Sequence, residues 1–310
     1  MDDRSIAAPP RTGRIAAALR GALSPSGLRH ARRTAVRLFW TAAIGAFALT
    51  MIVPFIWMIS ASFKLPADVL KLPIEWIPKR WFPKSYAIVW HLFGAGPRDY
   101  HFALAYANSL TVAITNMVGA VVTSSLAGYA FAKIRFRGSE AIFMLYLATM
   151  MIPPQVTLIP KFALFDAMGI MGSLLTLILP GVFTVTGTFL MKQFFMQVPD
   201  ELREAARIDG ASEFRTWWRV MLPLARPAVA SLAIMVFLWN WNDYLNPLVF
   251  LRSWRAYTIP VALGNFIDES LTEYNLVMAA SVSALLPVFV VFLAGQKHFI
   301  KGISAGAVKG

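Results

Sequence analysis

The 310-residue sequence contains no cysteine, which excludes a disulfide framework, a thiolate nucleophile and a cysteine metal site. Its four histidines, at positions 30, 91, 101 and 298, are scattered, and none stands in a metal-ligand spacing such as H-E-x-x-H. A phosphate-binding loop of the form G-x-x-x-x-G-K-[ST] is also missing. The chain is therefore expected to hold no metal and to bind no ATP through such a loop.

Charged residues are scarce. They make up 15% of the chain, against 57% hydrophobic residues and a mean hydropathy of +0.59, whereas a soluble domain is about 25% charged and about 45–50% apolar. Open strands cannot satisfy their backbone groups in lipid, and the apolar runs lack the alternation of a β-barrel. We therefore predict an all-α membrane protein with six transmembrane helices. Their expected limits are 38–60, 104–131, 140–158, 173–191, 227–250 and 276–295.

The net charge of +13 comes largely from an arginine-rich N-terminus. Residues 1–37 hold eight arginines directly before the first apolar run, a pattern typical of a cytoplasmic flank and not of a nucleic-acid-binding domain. That run, Leu38–Ser60, is 23 residues long. It exceeds the roughly 7–15 residues of a signal-peptide core, so we expect a retained first span.

Lysine and arginine counts predict the orientation. With the N-terminus in the cytoplasm, the inside segments carry 20 basic residues and the outside segments carry nine, so both termini are expected to be cytoplasmic. The predicted organisation is a basic N-terminal extension (1–37), a six-span membrane domain (38–295) and a C-terminal tail (296–310). The membrane domain includes an external loop (61–103) and a cytoplasmic loop (196–227).

The external loop contains five prolines and three tryptophans, the latter at positions 76, 81 and 90. Tryptophans concentrate at headgroup level, so an interfacial cap is one interpretation. A docking surface for an external partner is the other.

The cytoplasmic loop is polar and is expected to form two short helices. Asp200 is a candidate cap for the first helix, Gly210 is its expected end, and Ser212 is a candidate cap for the second. The small side chains of the first helix would allow close approach of a partner protein. An interfacial amphipathic helix with Trp217 and Trp218 in the headgroups is the alternative.

This loop resembles the EAA loop of ABC importer permeases. The resemblance rests on Glu204-Ala205-Ala206, on Gly210 and on Val220-Met221-Leu222-Pro223. Three further segments resemble the carbohydrate-uptake branch, in particular the second permease of maltose- and oligosaccharide-type systems. They are Trp241–Tyr244 with Pro247-Leu248, then Thr258–Leu263, and the terminal Gly306–Gly310. The resemblance covers residues 38–310.

The resemblance implies a plasma (inner) membrane importer of a carbohydrate, an oligosaccharide or a disaccharide. This chain would form half of the pathway with a second, different permease subunit, surrounded by membrane lipid. Two separate ATPase subunits would carry ATP and Mg, so this chain would itself be no enzyme and would hold no cofactor. An extracytoplasmic solute-binding protein would deliver sugar. The coupling contact would be carried by Glu204, Ala205, Ala206, Asp209, Gly210, Leu222 and Pro223.

Four polar residues near the outer half of the fifth predicted span are candidates for the substrate pathway. Polar groups at membrane depth usually face the bundle or a water-filled cavity. They are Asn240, Asn242, Asp243 and Asn246. The alternative is that Asp243 only bonds nearby helix ends at the outer interface, where Pro247 would break the helix. Asn108, Thr115 and Asn116 are weaker candidates, because they could simply join helices.

Other functions stay open at this point. An ABC permease for amino acids or peptides shares the EAA loop. An ion-driven secondary transporter would favour buried carboxylates or inverted repeats, and Asp243 is the one candidate carboxylate. A non-transporting membrane scaffold would need no EAA pattern.

Overall fold

The computed structural model describes residues 25–94, 101–269 and 273–307, and the regular structure within these ranges is helical, without strands. The predicted all-α class is confirmed. The helices are α1 (Pro25–Ser62), α2 (Pro66–Val69), α3 (Lys84–Val89), α4 (Phe102–Lys133), α5 (Ser139–Ala148), α6 (Leu158–Ala167), α7 (Leu175–Gly181), α8 (Val185–Met196), α9 (Glu201–Ile208), α10 (Glu213–Thr216), α11 (Leu222–Leu224), α12 (Arg226–Trp241), α13 (Leu245–Phe250), α14 (Ile259–Glu269) and α15 (Tyr274–Ala307).

Four stretches are long and apolar enough to cross a membrane. They are Arg32–Ser62, Phe102–Lys133, Leu175–Met196 and Tyr274–Gln296. Two further helix pairs meet the same criterion only when each pair is taken together. Ser139–Met151 and Pro154–Ala167 meet at a bend of 94°, and Glu213–Leu224 and Arg226–Trp241 meet at 83°. Five of the six predicted spans therefore correspond to these four stretches and the first bent pair. The second pair begins at Glu213, inside the loop predicted to be cytoplasmic, and overlaps the fifth predicted span only over residues 227–241.

Two of the predicted spans are interrupted in the structure. The third ends at Met151, and the chain turns at Ile152 and Pro153 because the residue before a proline is pushed out of the helical region. In the fifth, α12 already ends at Trp241. Pro247 does not cause this break, because it lies inside α13.

The chain divides between Trp57 and Met58 into two compact units. In the first unit every residue from 32 to 56 is exposed. This is the surface expected of a helix whose apolar side chains face lipid.

In the second unit α4 is the central helix, and it packs most extensively against α8 and α12. The backbones approach closely where glycine replaces a larger residue. A Cβ atom on Gly128 would lie 2.7 Å from the Cβ of Met191 in α8. One buried cluster lies at each end of α4, around Trp241 and Phe102 and around Trp217 and Phe195.

Candidate functional site

The loop between α8 and α12 forms the predicted helical hairpin, which we define as residues 197–224. Helix α9 ends at Ile208, and Gly210, which terminates it two residues later, has φ +77°. The amides of Gly210 and Ala211 donate to the carbonyl oxygens of Arg207 and Ala206 at 3.0 and 2.9 Å, which is the Schellman arrangement. Ser212 then caps α10 by accepting a hydrogen bond from the amide of Arg215. Both of these predictions are confirmed.

The prediction for Asp200 is wrong. Its backbone is helical (φ −71°, ψ −22°), and its side chain does not cap α9. The carboxylate instead accepts a hydrogen bond from Lys133 Nζ at 2.5 Å. The same ammonium group donates to the carbonyl oxygen of Val198 at 2.6 Å. Lys133, buried at the end of α4, thereby fixes the start of the hairpin, because a buried charge needs partners.

This contact changes the acidity of Asp200. The hydrogen bond and the positive charge of Lys133 lower the pKa of the Asp200 carboxyl below its ordinary value. The ionised form is therefore favoured by the folded structure.

A second anchor joins the two helices of the hairpin to α4. Arg203 Nη2 and Nε donate to the two carboxylate oxygens of Glu213 at 2.6 and 3.1 Å. The hydroxyl of Tyr129, in α4, donates to Glu213 Oε2 at 2.5 Å. Bidentate arginine–carboxylate pairs fix geometry as well as adding energy. Glu213 therefore holds α9, α10 and α4 in one arrangement.

The anchored hairpin leaves one side of α9 uncovered. Glu204, Ala205 and Ile208 are exposed, and Ile208 is 86% exposed. At about 100° per residue they fall within an arc of about 100°, so they share one face. An isoleucine this exposed at the C-terminal end of a polar helix is a surface suited to a protein partner.

The predicted coupling residues do not all lie on this face. Asp209 and Gly210 are exposed at the end of α9, whereas Ala206 is half-buried on the side that faces away from Glu204 and Ala205. Leu222 and Pro223 lie in α11, beyond the π-helical segment Trp217–Met221.

Trp217 contradicts the alternative of a headgroup-level amphipathic helix. That alternative required both indoles to face the membrane surface. Trp218 is 56% exposed, but Trp217 is 2% exposed and packs with Phe195 and Met221 in a buried cluster. Trp217 and Met221, in the second half of the hairpin, therefore belong to the protein core.

The structure separates the four pathway candidates. Asn240 accepts from Asn116 Nδ2 at 2.5 Å and donates to Val236 O at 2.8 Å, inside the bundle. Asn242 is exposed and donates to Leu238 O. Because α12 ends at Trp241, the four side chains do not share the single helical arc that a continuous span would give.

Asp243 and Asn246 form a local turn. Asp243 accepts from the Asn246 amide at 3.3 Å and from Asn246 Nδ2 at 2.9 Å, at the start of α13. This is the helix-end bonding that the alternative interpretation described.

The opposite end of α4 is also bonded to the chain beyond α13. Asn108 Nδ2 donates to the carbonyl oxygens of Arg255 and Tyr257, both at 3.0 Å. Ser109 Oγ accepts from the amide of Ile259 at 2.7 Å. Asn108 and Asn116 thus join elements, the role that the sequence left open for them.

Sequence reasoning did not find the anchors Tyr129, Lys133, Arg203 and Glu213. Glu213 lies 84 residues from Tyr129, and Asp200 lies 67 residues from Lys133. No local pattern encodes pairs at such separation. A basic residue at the end of an apolar span was the one available signal, and it is equally typical of a membrane flank.

The fold is that of a multi-pass membrane protein with an anchored helical hairpin between spans. Residues 120–305 match the family described as the inner membrane component of binding-protein-dependent transport systems, and the chain belongs to this family. A solved structure, the crystal structure of a bacterial ABC transporter involved in the import of the acidic polysaccharide alginate, has the same fold. Its TM-score is 0.74 at 24% identity, covering 94% of this chain and 99% of that one.

Curated relatives match over most of the sequence. The arabinooligosaccharides transport system permease protein AraQ of Halalkalibacterium halodurans is 32% identical over 90% of this chain and 99% of its own length. AraQ of Bacillus subtilis is also 32% identical, over 91% and 100%. The sn-glycerol-3-phosphate transport system permease protein UgpE of Yersinia pestis is 34% identical over 76% and 85%.

Proposed function

We propose that this chain is the non-catalytic permease subunit of an ATP-driven importer for a carbohydrate. It forms half of the translocation pathway and couples to an ATPase subunit through the 197–224 hairpin. The observation that carries this proposal is the anchored hairpin. Its exposed face presents Glu204, Ala205 and Ile208, while Glu213 and Lys133 fix its other side to α4.

The anchors explain how a contact at the hairpin would reach the membrane. A partner that moves α9 also moves Arg203, and the bonds through Glu213 and Tyr129 carry the displacement to α4. A hairpin attached only by its two chain ends could tilt without moving the spans. Coupling of this kind requires two states that ATP and solute bias differently.

The partners follow from the family. Two ATPase subunits with ATP and Mg, a second permease chain and an extracytoplasmic solute-binding protein complete the proposed assembly. The hairpin then faces the cytoplasm, as do both termini, in agreement with the excess of basic residues on that side.

The carbohydrate assignment is supported by the relatives named for arabinooligosaccharides and by the candidate pathway groups. Asn240, Asn242 and Asn246 carry neutral amides that match sugar hydroxyls, which both donate and accept hydrogen bonds. sn-Glycerol 3-phosphate is the second candidate, because UgpE matches at similar identity. A phosphate would favour a basic side chain, and residues 240–251 contain none.

The test is purification in mild detergent followed by mass spectrometry of the proteins that copurify. An ATPase with phosphate-loop motifs and a second multi-span chain are expected. Liposomes holding this assembly and its binding protein should take up a labelled oligosaccharide only with internal ATP. A chain that purifies alone and moves solute without ATP would overturn the proposal. Uptake of sn-glycerol 3-phosphate without uptake of any sugar would support the proposed coupling to ATP. It would show that the substrate is sn-glycerol 3-phosphate and not a carbohydrate.

A further inference from the structure

The first 67 residues contain almost no negative charge. After Asp3 the next acidic residue is Asp68, and the stretch between them holds eight arginines and one lysine. Elsewhere the basic side chains often have acidic partners. Lys79 lies 2.8 Å from Glu75, Arg80 3.2 Å from Asp68, and Arg252 3.7 Å from Asp166. The positive charges between Asp3 and Asp68 have no acidic residue within the same stretch to neutralise them.

Three of these arginines form a patch on α1, consisting of Arg32, Arg33 and Arg37. All three are exposed, and none forms an ion pair with another residue that the structure describes. At about 100° per residue they fall within an arc of about 140°. Together with Val36 they line a depression of about 600 Å³. The three arginine side chains therefore line one shared depression.

The arginine patch lies where α1 becomes apolar. Leu38, Phe39 and Trp40, the residues that follow Arg37, are 65%, 66% and 59% exposed. An exposed apolar helix of this length lies in lipid, and tryptophan is enriched at the level of the headgroups. Arginines one turn before that boundary reach the layer of lipid phosphates, since their long side chains extend towards the interface.

We propose that the arginine patch binds the phosphate group of an anionic phospholipid. A guanidinium fork matches two phosphate oxygens, and several forks around one depression suit a group with more than one acceptor. Basic clusters next to a transmembrane helix are attracted to anionic leaflets. A polyanion such as nucleic acid is disfavoured, because the patch is confined to about one turn and its neighbours are lipid-facing. The site is independent of the transported solute.

The test uses the full chain, purified with its copurifying partners, and native mass spectrometry. Phosphatidylglycerol and phosphatidylcholine with identical acyl chains are titrated separately. Saturable binding is expected for phosphatidylglycerol at concentrations where phosphatidylcholine does not bind. The triple variant Arg32→Gln/Arg33→Gln/Arg37→Gln should weaken this binding by at least about tenfold. Five arginines remain before residue 30 to preserve the orientation of the first span.

The matched control removes three basic residues that already have carboxylate partners. Lys79→Gln/Arg80→Gln/Arg252→Gln should change phosphatidylglycerol affinity less than about twofold, because those charges are already paired. If the triple glutamine variant does not insert, Arg32→Lys/Arg33→Lys/Arg37→Lys retains the charge and should still weaken binding, through loss of the guanidinium forks. Unchanged affinity in every patch variant that inserts would overturn the proposal, as would displacement of the lipid by inorganic phosphate at a tenfold excess.

Discussion

Tyr129 and Glu213 are 84 residues apart in sequence, and the tyrosine hydroxyl donates to the carboxylate at 2.5 Å. This bond joins α4, the central helix of the second unit, to the second helix of the hairpin. Arg203 holds the same carboxylate from the first helix of the hairpin.

Substitution Glu213→Gln should uncouple ATP hydrolysis from uptake. It keeps the size of the side chain but removes the charge that holds Arg203 in both of its bonds. A charge-assisted bond of this kind, reduced for partial exposure, contributes about 1 kcal/mol, or about fivefold in an equilibrium. We expect a fall of about fivefold in the stimulation of ATPase activity by loaded binding protein, measured in liposomes.

The control for this variant is Glu201→Gln. Glu201 lies in the same hairpin, is exposed and makes no ion pair with a described residue. Equal losses in the two variants would show that total hairpin charge, and not the junction, controls coupling.

Gly210→Asp should leave membrane insertion intact and abolish ATP-driven uptake. Gly210 has φ +77°, and nothing lies within 4 Å of the position a Cβ would take, so the variant meets backbone strain but no collision. The strain is about 1–2 kcal/mol. The added carboxylate would project beside the exposed face of α9. The measurement is uptake normalised to the amount of chain in the membrane.

Gly138 offers a matched control, since it has φ +82° and equally open surroundings. Gly138→Asp carries the same strain and charge outside the hairpin, and it should retain uptake. Normal uptake in Gly210→Asp would contradict the proposed coupling surface.

Gly128→Ala should destabilise the bundle. Its new Cβ would lie 2.7 Å from the Met191 Cβ and 2.8 Å from the backbone nitrogen of Lys192, distances that require the two helices to separate. Overpacking of this kind costs about 1–3 kcal/mol. Gly45→Ala, with nothing within 4 Å, should be neutral or slightly stabilising. The measurement is the melting temperature of each of the two variants in the same detergent. Equal values would contradict the close packing of α4 on α8.

The Lys133–Asp200 ion pair predicts that the stability of the folded protein falls at acid pH. The folded protein lowers the pKa of Asp200, so the stabilisation is fully present above the ordinary aspartate value, about 3.9, and is lost as pH falls through the folded value. Asp200→Asn should therefore lower the melting temperature at pH 7. The difference from wild type should shrink below about pH 4. A difference that is constant with pH would show that the charge of Asp200 does not contribute.

Variants of Asn242 and Asp243 distinguish a role in the substrate pathway from a structural role. Asn242 is exposed and bonds only within α12, so Asn242→Ala should leave the melting temperature unchanged. Asp243→Ala removes two hydrogen bonds at the start of α13. It should lower the melting temperature, because the free energy of unfolding falls by about 1 kcal/mol. A raised apparent Km for solute in Asn242→Ala would place this side chain in the pathway. An unchanged Km in both variants would remove both residues from it.

Local features were predictable from sequence because their causes are local. The stop at Gly210 and the cap at Ser212 depend on backbone conformation within a few residues. The end of α12 at Trp241 was not predictable in this way, because the conspicuous breaker Pro247 lies six residues later, inside a new helix. Asp200 has the residue type of a helix cap but serves Lys133, since a buried ammonium group has a stronger need for a partner.

Helix α4 has 32 residues and is therefore about 48 Å long. Tyr129 and Lys133 tie one end to the hairpin, and Asn108 and Ser109 tie the other to the backbone around residues 255–259. A helix packed this tightly does not shorten or stretch to absorb a displacement. We therefore expect a movement of the hairpin that keeps these bonds to shift residues 255–259, at the far end of α4, as well. The hairpin and the backbone around residues 255–259 are thus joined through a single helix.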